Sequence, residues 1–370
     1  MVDHSPSASL EMNLDACENF VVKYSSVHLS TTYMYSQADS EDTPLGPINI
    51  SFRELWYDAD YLDNMNNRRS SLGSESLLEH DITEDQTLEG YWGSTDHGLD
   101  YSVLLGYEYQ NDIYEIKKDL EKPYHPINCM ASQPVVTSFM RCTLVNWLVK
   151  VNHELKFAPE TAFLAVNLCD RFLQATPLAQ DCLQLMATSA LTVAAKMEEC
   201  IVPGISELVA MCGGTYQPHH FRRMEVLMLS KLGFELYAPT TWFFITHLAM
   251  KAAESGSWDK RVVSLARYVS ETCLCNYEVT QFLPSVQAAA GLLAATQLQR
   301  NQGINTTEFH NNVVKVIRSL YTVAEQEEAT KCCNMMVVYM TPFLESLSPE
   351  TGQVFFDPCT PPPLGILTPP

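Results

Sequence analysis

Apolar residues recur every three or four positions along most of the chain after residue 100, which is the spacing of one face of an α-helix. The clearest case runs from about Thr137 to Lys156. Its apolar positions are Phe139, Met140, Leu144, Trp147, Leu148, Val151 and Leu155. This pattern predicts an amphipathic helix that packs one side against a core.

Two stretches are apolar on nearly every side. Asp181–Glu199 carries almost no charge over its first fifteen residues, and Leu283–Thr296 is a second Ala-rich, nearly uncharged run. A helix without a polar face belongs in the middle of a bundle, with other helices packed around it. The last turn of the first stretch changes abruptly to Lys196 and two carboxylates, so this end is expected to bring charge to a surface.

The other helical patterns follow in an order that repeats. They cover Tyr107–Leu120, Pro159–Gln174, Ile205–Cys212, Pro218–Leu232, Thr240–Ala253, Lys260–Cys273, Thr307–Val323 and Glu325–Met340. The order of elements indicates a five-helix unit that occurs twice. Because no strand alternation stands out, the predicted fold class is all-α, with two tandem five-helix domains, one preceding helix and disordered tails.

Composition changes sharply near residue 100. Residues 1–100 hold nineteen Asp and Glu against four Lys and Arg, whereas the other 270 residues are much closer to neutral. A polar, acidic segment without sustained periodicity is typical of disorder. The predicted parts are an acidic arm at 1–98, a helix and linker at 99–133, helical domains at 134–237 and 238–345, and a Pro-rich tail at 346–370.

The formal charge of −21 argues against nucleic acid as a partner. The start of the chain lacks the basic and apolar segments of a secretory signal, and no run is suited to span a membrane. Twelve cysteines are scattered without CxxC or paired Cys/His spacing, which favours reduced thiols in the cytosol or nucleus. We therefore expect no membrane partner, no metal and no cofactor.

No catalytic constellation is visible in the sequence. His153 and Glu154 begin like a zincin motif, but Phe157 stands where the second histidine is needed. His219 and His220 have no Cys or carboxylate at ligand spacing. A Gly-rich phosphate loop and a Gly-x-Ser-x-Gly elbow are also missing. The sequence predicts a protein that is not an enzyme.

Four segments, in order and at the family spacing, resemble the motifs of the two cyclin boxes. They are MRCTLVNWL at 140–148, LAVNLCDRFL at 164–173, AAKMEE at 194–199 and FLPSV at 282–286. The resemblance covers about residues 100–345. Within the family, the segments Thr176–Leu185 and Met211–Gly214 look most like the O-type cyclins, followed by the A- and B-type mitotic cyclins.

The resemblance implies a regulatory subunit that binds and activates a cyclin-dependent kinase. Cyclins hold the mobile helix and the activation segment of the kinase in the active arrangement. Their binding thereby shifts the kinase population towards its active conformation. The resemblance also implies a role in cell-cycle, meiotic or multiciliated-cell control and a location in the nucleus and cytoplasm.

Five residues carry the implied kinase contact. By resemblance, Lys196 and Glu225 would hydrogen-bond to backbone at the ends of the kinase helix, while Met197, Leu229 and Leu236 would form the apolar floor of the groove. Met197 stands where the family usually has Phe. The alternative is that Lys196 and Glu225 form an ordinary surface ion pair worth about 0–1 kcal/mol.

The resemblance also implies two further sets of residues near the first helix. Arg141 and Asp170 would form a structural pair that joins the first two helices of the box. A docking patch for substrates with an Arg-x-Leu motif would consist of Met140, Leu144, Trp147, Leu183 and Gln184. Lys150, however, stands where an acidic residue normally meets the substrate arginine, so we expect weakened or altered docking. The alternative is that the patch residues belong mainly to the core.

Short motifs outside the helical domains suggest regulation. Thr360 and Thr368 each precede proline and are candidate phosphosites, and the segment around Thr368 resembles a phosphodegron read by a ubiquitin ligase. Arg69 and Leu72 fit a minimal destruction box. Such short motifs also arise by chance.

Two rival functions stay open. A transcription-type cyclin fold would need a basic face, which this acidic chain does not offer. A kinase-free scaffold would have the same fold as a kinase activator, so only partner binding separates the two.

Overall fold

In a computed structural model of the chain, the structure describes residues 109–254 and 259–346. This part contains eleven α-helices and no strand. The helices are α1 (Gln110–Leu120), α2 (Ser138–Glu154), α3 (Pro159–Ala175), α4 (Leu183–Glu198), α5 (Ile205–Met211), α6 (Pro218–Lys231), α7 (Thr241–Ala253), α8 (Lys260–Cys273), α9 (Pro284–Asn301), α10 (Thr307–Leu320) and α11 (Val323–Ser346). The prediction of an all-α fold with two five-helix units and a preceding helix is confirmed.

Each unit is built around one buried helix. Helix α4 packs against α2, α3 and α6, and α9 packs against α7, α8, α10 and α11. Small side chains along both central helices allow this close packing. At Gly291 a Cβ atom would lie 2.6 Å from the Ser270 hydroxyl oxygen, so the glycine lets α8 and α9 approach each other. Two hydrophobic cores result, one around α4 and one around α9.

Local capping fixes where several helices begin. Thr137 accepts a hydrogen bond from the Met140 amide at 3.2 Å, and Thr240 accepts one from the Phe243 amide at 3.2 Å. Asp259 does the same for the first amides of α8. Prolines occupy the first turns of α3, α6 and α9, where the missing N–H has no cost.

The last three helices differ from the predicted ranges. Helix α9 continues to Asn301, beyond the uncharged run, and Gly303, just after its C-cap, adopts φ 79°. Helix α10 stops at Leu320 because Thr322 starts a new helix. The Thr322 amide donates to Glu325 at 2.8 Å and the Glu325 amide donates to the Thr322 hydroxyl at 3.4 Å, a reciprocal capping box.

Helix α1 precedes the first unit in the chain but packs on the second. Tyr114 lies in the second core, with its ring stacked 4.4 Å from that of His247. Glu121 accepts hydrogen bonds from the amide and the hydroxyl of Ser285, at 3.0 and 2.9 Å, at the N-terminus of α9. Lys118 joins Glu121 and Glu325 at 2.8 and 2.9 Å. We call these four residues, Lys118, Glu121, Ser285 and Glu325, the α1 clasp.

Candidate functional site

The charged end of α4 meets α6 at the surface of the first unit. The ammonium group of Lys196 contacts the carboxylate of Glu225, and the two side chains are 49% and 25% exposed. Lys196 lies in the last turn of α4, where a cation is favoured by the helix dipole. The two residues predicted to orient a kinase helix are therefore adjacent and accessible.

The carboxylate of Glu199 turns away from this surface. It accepts hydrogen bonds from the Ala158 amide at 2.7 Å and from the Thr161 hydroxyl, both at the N-terminus of α3. An anion at this position is stabilised by the free amides of the first turn. The expectation that the end of α4 brings charge to a surface therefore applies to Lys196, whereas Glu199 joins α4 to α3.

The apolar residues predicted for the groove flank the ion pair. Met197 is exposed beside Lys196. Leu229 lies one helical turn after Glu225 on α6, and Leu229 and Leu236 are half-buried against the first core. Both leucines thus keep part of their surface exposed, and the rest is fixed by packing.

Sequence reasoning missed four exposed apolar residues in the same region. They are Ile201, Val226, Phe234 and Tyr237, of which Ile201 and Phe234 are 74% and 70% exposed. Contiguous exposed apolar residues mark interaction surfaces in proteins. We define the α4–α6 surface as Lys196, Met197, Ile201, Glu225, Val226, Leu229, Phe234, Leu236 and Tyr237.

Phe234 is held outward by its backbone. Helix α6 ends with Gly233 and Phe234 in the left-handed region, at φ 62° and 61°, and the Phe234 amide donates to the Leu229 carbonyl at 3.0 Å. After α5, Gly213 and Gly214 occupy the same two positions. A bulky residue at positive φ is uncommon, and such strain tends to occur at functional sites.

A cation from α1 supports the edge of the α4–α6 surface. The Lys117 ammonium lies 3.9 Å from the centre of the Tyr237 ring and 4.9 Å from that of Phe243. Beneath it, burial raises the pKa of Glu160 to about 7, although a 2.5 Å hydrogen bond from Thr240 and the charge of Lys117 oppose this rise. Residues of α1, α3 and α7 thus meet behind Tyr237.

Arg141 and Asp170 form a buried bidentate ion pair between α2 and α3. The Nε and Nη2 atoms of Arg141 donate to the two carboxylate oxygens at 2.7 and 2.6 Å. The third nitrogen, Nη1, donates to the Leu274 carbonyl at 2.9 Å, just after α8. The charge of Asp170 holds the pKa of Arg141 above its usual value despite burial, which acts in the opposite direction. The pair therefore joins two helices of the first unit and also connects them to the second.

The predicted docking residues lie together where α2 packs on α4. Leu144, Trp147 and Leu183 are buried in the first core, while Met140 and Gln184 keep part of their surface. Lys150 lies one turn beyond Trp147 on α2 and is half-buried, and this burial lowers the pKa of its amine. Three of the five patch residues are therefore buried, and a cation lies one turn beyond Trp147.

Several predicted features lie outside the described residues. They are Arg69, Leu72, Thr360 and Thr368. Within residues 109–254 and 259–346, no helix combines the length and apolar character needed to cross a bilayer. The same residues contain no cluster of His, Cys, Asp and Glu arranged to hold a metal ion.

Comparison with protein families gives two adjacent matches. The family model described as "Cyclin, N-terminal domain" matches residues 112–237, and that described as "Cyclin, C-terminal domain" matches residues 239–350. The first match includes most of α1, and the second begins just before α7.

Individual proteins show the same similarity. The chain is 35% identical to Cyclin-O of Homo sapiens over 197 residues, which is 52% of this chain and 56% of the human protein. It is 32% identical to Cyclin-O protein A of Xenopus laevis over 56% of this chain and 60% of the relative. Against Cyclin-A1 of Carassius auratus the identity is 36%, over 60% of this chain and 58% of the relative. The matched segments thus span little more than half of these relatives.

A solved structure has a similar fold. The X-ray structure of a viral cyclin from herpesvirus saimiri superposes with a TM-score of 0.52, at 16% identity, over 62% of this chain and 96% of the viral protein. The tandem arrangement of two helical units is therefore shared with that protein.

Proposed function

The chain belongs to the cyclin family, and we propose that it binds and activates a cyclin-dependent protein kinase through the α4–α6 surface. The observation that carries this proposal is the exposed apolar rim around the Lys196–Glu225 pair. Apolar anchors surrounding a few directional polar groups are the usual anatomy of a protein interface.

Lys196 and Glu225 can exchange their mutual contact for contacts with another protein. An exposed pair of this kind contributes only about 0–1 kcal/mol to stability, so opening it costs little. Each charged group can then hydrogen-bond to backbone at one end of a partner helix, the ammonium to carbonyl oxygens and the carboxylate to amides. Because the two groups are adjacent and opposite in charge, they would fix the orientation of the partner segment that they contact.

The Lys196→Ala, Glu225→Ala double variant tests the proposed function. We expect kinase activation by the purified chain to fall at least about tenfold, equivalent to about 1.4 kcal/mol, because both orienting groups are lost. The measurement is phosphate transfer to a generic substrate by a panel of candidate kinases. The matched control is Lys251→Ala, Glu254→Ala, which removes a 2.9 Å surface pair from α7 and should leave activation unchanged.

The same experiment separates an activator from a scaffold. Binding of a kinase without activation would favour the kinase-free or inhibitory scaffold. Binding to no kinase at all would overturn the assignment of the α4–α6 surface. Equal losses in both double variants would show that the α4–α6 pair has no special role.

A docking preference follows from Lys150. We expect a labelled Arg-x-Leu peptide to bind weakly, because the half-buried cation repels the arginine of the peptide. Lys150→Glu should tighten binding by about tenfold, since it replaces repulsion by attraction. Fluorescence anisotropy measures this change, with Lys315→Glu on the exposed side of α10 as the control. Tight binding by the unchanged chain would contradict weakened docking.

The finer cellular assignments are predictions from the resemblance. They comprise the meiotic or multiciliated-cell role, the location in the nucleus and cytoplasm, and recognition of a phosphorylated Thr368 by a ubiquitin ligase. The first of these rests on the resemblance to O-type cyclins, and the chain is similar to Cyclin-O relatives.

A further inference from the structure

A small cleft lined by cations lies beside the end of α6. It has a volume of about 270 Å³ and is formed by the linker after α1, the last turn of α3 and the residues around the end of α6. Its polar lining includes His125, Arg171, Lys231 and Glu235. Because this volume lies just below the range of drug-sized ligands, the cleft suits a single small group.

Arg171 is held in place from two sides. Its Nη1 atom donates to the Glu235 carbonyl at 2.8 Å, and its guanidinium carbon lies 4.9 Å from the centre of the Tyr124 ring. The Tyr124 carbonyl in turn accepts a hydrogen bond at 3.0 Å from Asn167, one turn earlier on α3. Burial lowers the pKa of Arg171, so its cation is partly desolvated. A guanidinium that is fixed in this way can bind an anion through its remaining N–H groups.

The cleft has an excess of positive charge. Lys231, the exposed last residue of α6, forms no ion pair with any residue that the structure describes, and neither does Arg171. The Nε2 atom of His125 donates to the Gln281 carbonyl at 3.0 Å, which fixes the imidazole ring among the lining residues. Glu235 contributes the one carboxylate of this lining. Two permanent cations therefore face one anion, in a chain whose formal charge is −21.

We propose that this cleft binds the phosphate group of a phosphorylated serine or threonine. The Arg171 guanidinium donates a pair of hydrogen bonds to phosphate oxygens, and Lys231 adds a point charge. Pro123 and Leu232, which line the same cleft, contact the carbon atoms next to the phosphate. A carboxylate is a poorer ligand, because it has one charge and two oxygens, whereas a phosphorylated side chain has nearly two charges and three acceptor oxygens.

One source of such a ligand is the chain itself. Thr360 precedes a proline and lies fourteen positions beyond Ser346, the last residue of α11. Fourteen residues of extended chain reach up to about 46–50 Å, which exceeds the roughly 30 Å diameter of a small domain. Helix α11 also packs against the 3₁₀ turn Val279–Gln281, whose last residue holds His125. A phosphorylated segment of another protein is the second source.

This site goes beyond the proposed kinase contact. Phe234 and Leu236 of the α4–α6 surface flank Glu235 in the sequence, so the two sites are neighbours. The cleft nevertheless uses none of the residues that define that surface. Phosphate binding is measured without a kinase, so the two proposals can fail separately.

The test measures binding of a fluorescein-labelled peptide with the sequence of residues 355–365 to the purified, unphosphorylated full-length chain. The peptide is made with phosphothreonine, threonine or glutamate at position 360. By fluorescence anisotropy, we expect the phosphorylated form to bind at least about tenfold more tightly than the other two. Inorganic phosphate should compete with it, and added salt should weaken it. A scrambled phosphopeptide that binds equally well would assign the cleft to phosphorylated partners in general, and weaker binding of that peptide would assign it to the tail.

Four variants complete the experiment. Arg171→Lys should weaken binding at least about fivefold although the charge is kept, because the forked donor is lost. Lys231→Ala should also weaken binding, whereas Glu235→Gln should strengthen it about threefold by removing a repulsive charge. Lys331→Ala, which removes an exposed lysine of α11 outside the cleft, should bind like the wild type. The gain in Glu235→Gln stands even if Arg171→Lys folds poorly.

Two outcomes would overturn the proposal. One is equal binding of the phosphorylated and unphosphorylated peptides. The other is phosphopeptide binding that changes neither in Lys231→Ala nor in Glu235→Gln. The cations of the cleft would then serve only to stabilise the C-terminal ends of α3 and α6.

Discussion

Arg141→Ala is expected to lower the free energy of unfolding by about 3–5 kcal/mol, because it leaves the buried carboxylate of Asp170 without its partner. Asp170 is 3% exposed, so water cannot replace the two lost hydrogen bonds. The Cys129 thiol, 3.7 Å from one carboxylate oxygen, is a weak donor and compensates little. The change also leaves the Leu274 carbonyl without the Arg141 donor.

Urea unfolding followed by circular dichroism measures this loss. Arg318→Ala, an exposed arginine on α10, is the control and should change stability by no more than about 0.5 kcal/mol. The Arg141→Met, Asp170→Leu double variant should recover much of the stability, because an apolar pair of similar volume avoids the unpaired charge. A loss below about 1 kcal/mol in Arg141→Ala would mean that Asp170 finds other partners and that the pair is not what joins the units.

The sequence pattern was sufficient to predict the helices, because helix formation depends on residues that are close together in the sequence. The uncharged faces of α4 and α9 require burial on all sides, and this requirement predicts a central helix in each unit. The capping box of Thr322 and Glu325 was also readable, since the Thr-x-x-Glu spacing is a known start signal. The predicted range for α10 ignored this start signal and therefore ended about one turn too late.

The position of α1 could not be predicted in this way. Its sequence indicates a helix with buried positions, but the partner for Tyr114 lies more than a hundred residues away in α7. Nothing local distinguishes packing on the first unit from packing on the second. The contact depends on the Ser285 amide being free at the start of α9, which is a property of the folded second unit.

The candidate site was only partly predictable, because some of its features also depend on the folded structure. Resemblance to a family supplied Lys196 and Glu225, and the structure places them in contact. It did not supply Phe234 as a surface residue, because an aromatic side chain in a sequence is expected to be buried. The 70% exposure of Phe234, in the left-handed turn that follows α6, shows that this side chain is turned outward.

Glu121→Ala is expected to lower the free energy of unfolding by about 3 kcal/mol and to release α1 from the second unit. Glu121 is 1% exposed, and its loss leaves the Ser285 amide and hydroxyl without their acceptor inside the protein. Lys118 would keep two partners, Glu325 and the Ser285 hydroxyl. The pKa of Glu325 is already lowered, because hydrogen bonds from Lys118 and Thr322 outweigh burial, so this half of the α1 clasp persists and limits the damage.

Two measurements distinguish a local release from a general loss of stability. Hydrogen exchange should speed up at the amides of α1 more than at those of α4, because the first core does not depend on Glu121. Glu115→Ala, an exposed carboxylate on the same helix, should leave both exchange and unfolding unchanged within about 0.5 kcal/mol. Faster exchange in α1 and α4 alike would show that the α1 clasp supports both units. If Glu121→Ala matched Glu115→Ala, α1 would be held by its other contacts, among them the Tyr114 ring stack and the Lys118–Glu325 pair. The Glu121 carboxylate would then set the register of α1 on α9 rather than its stability.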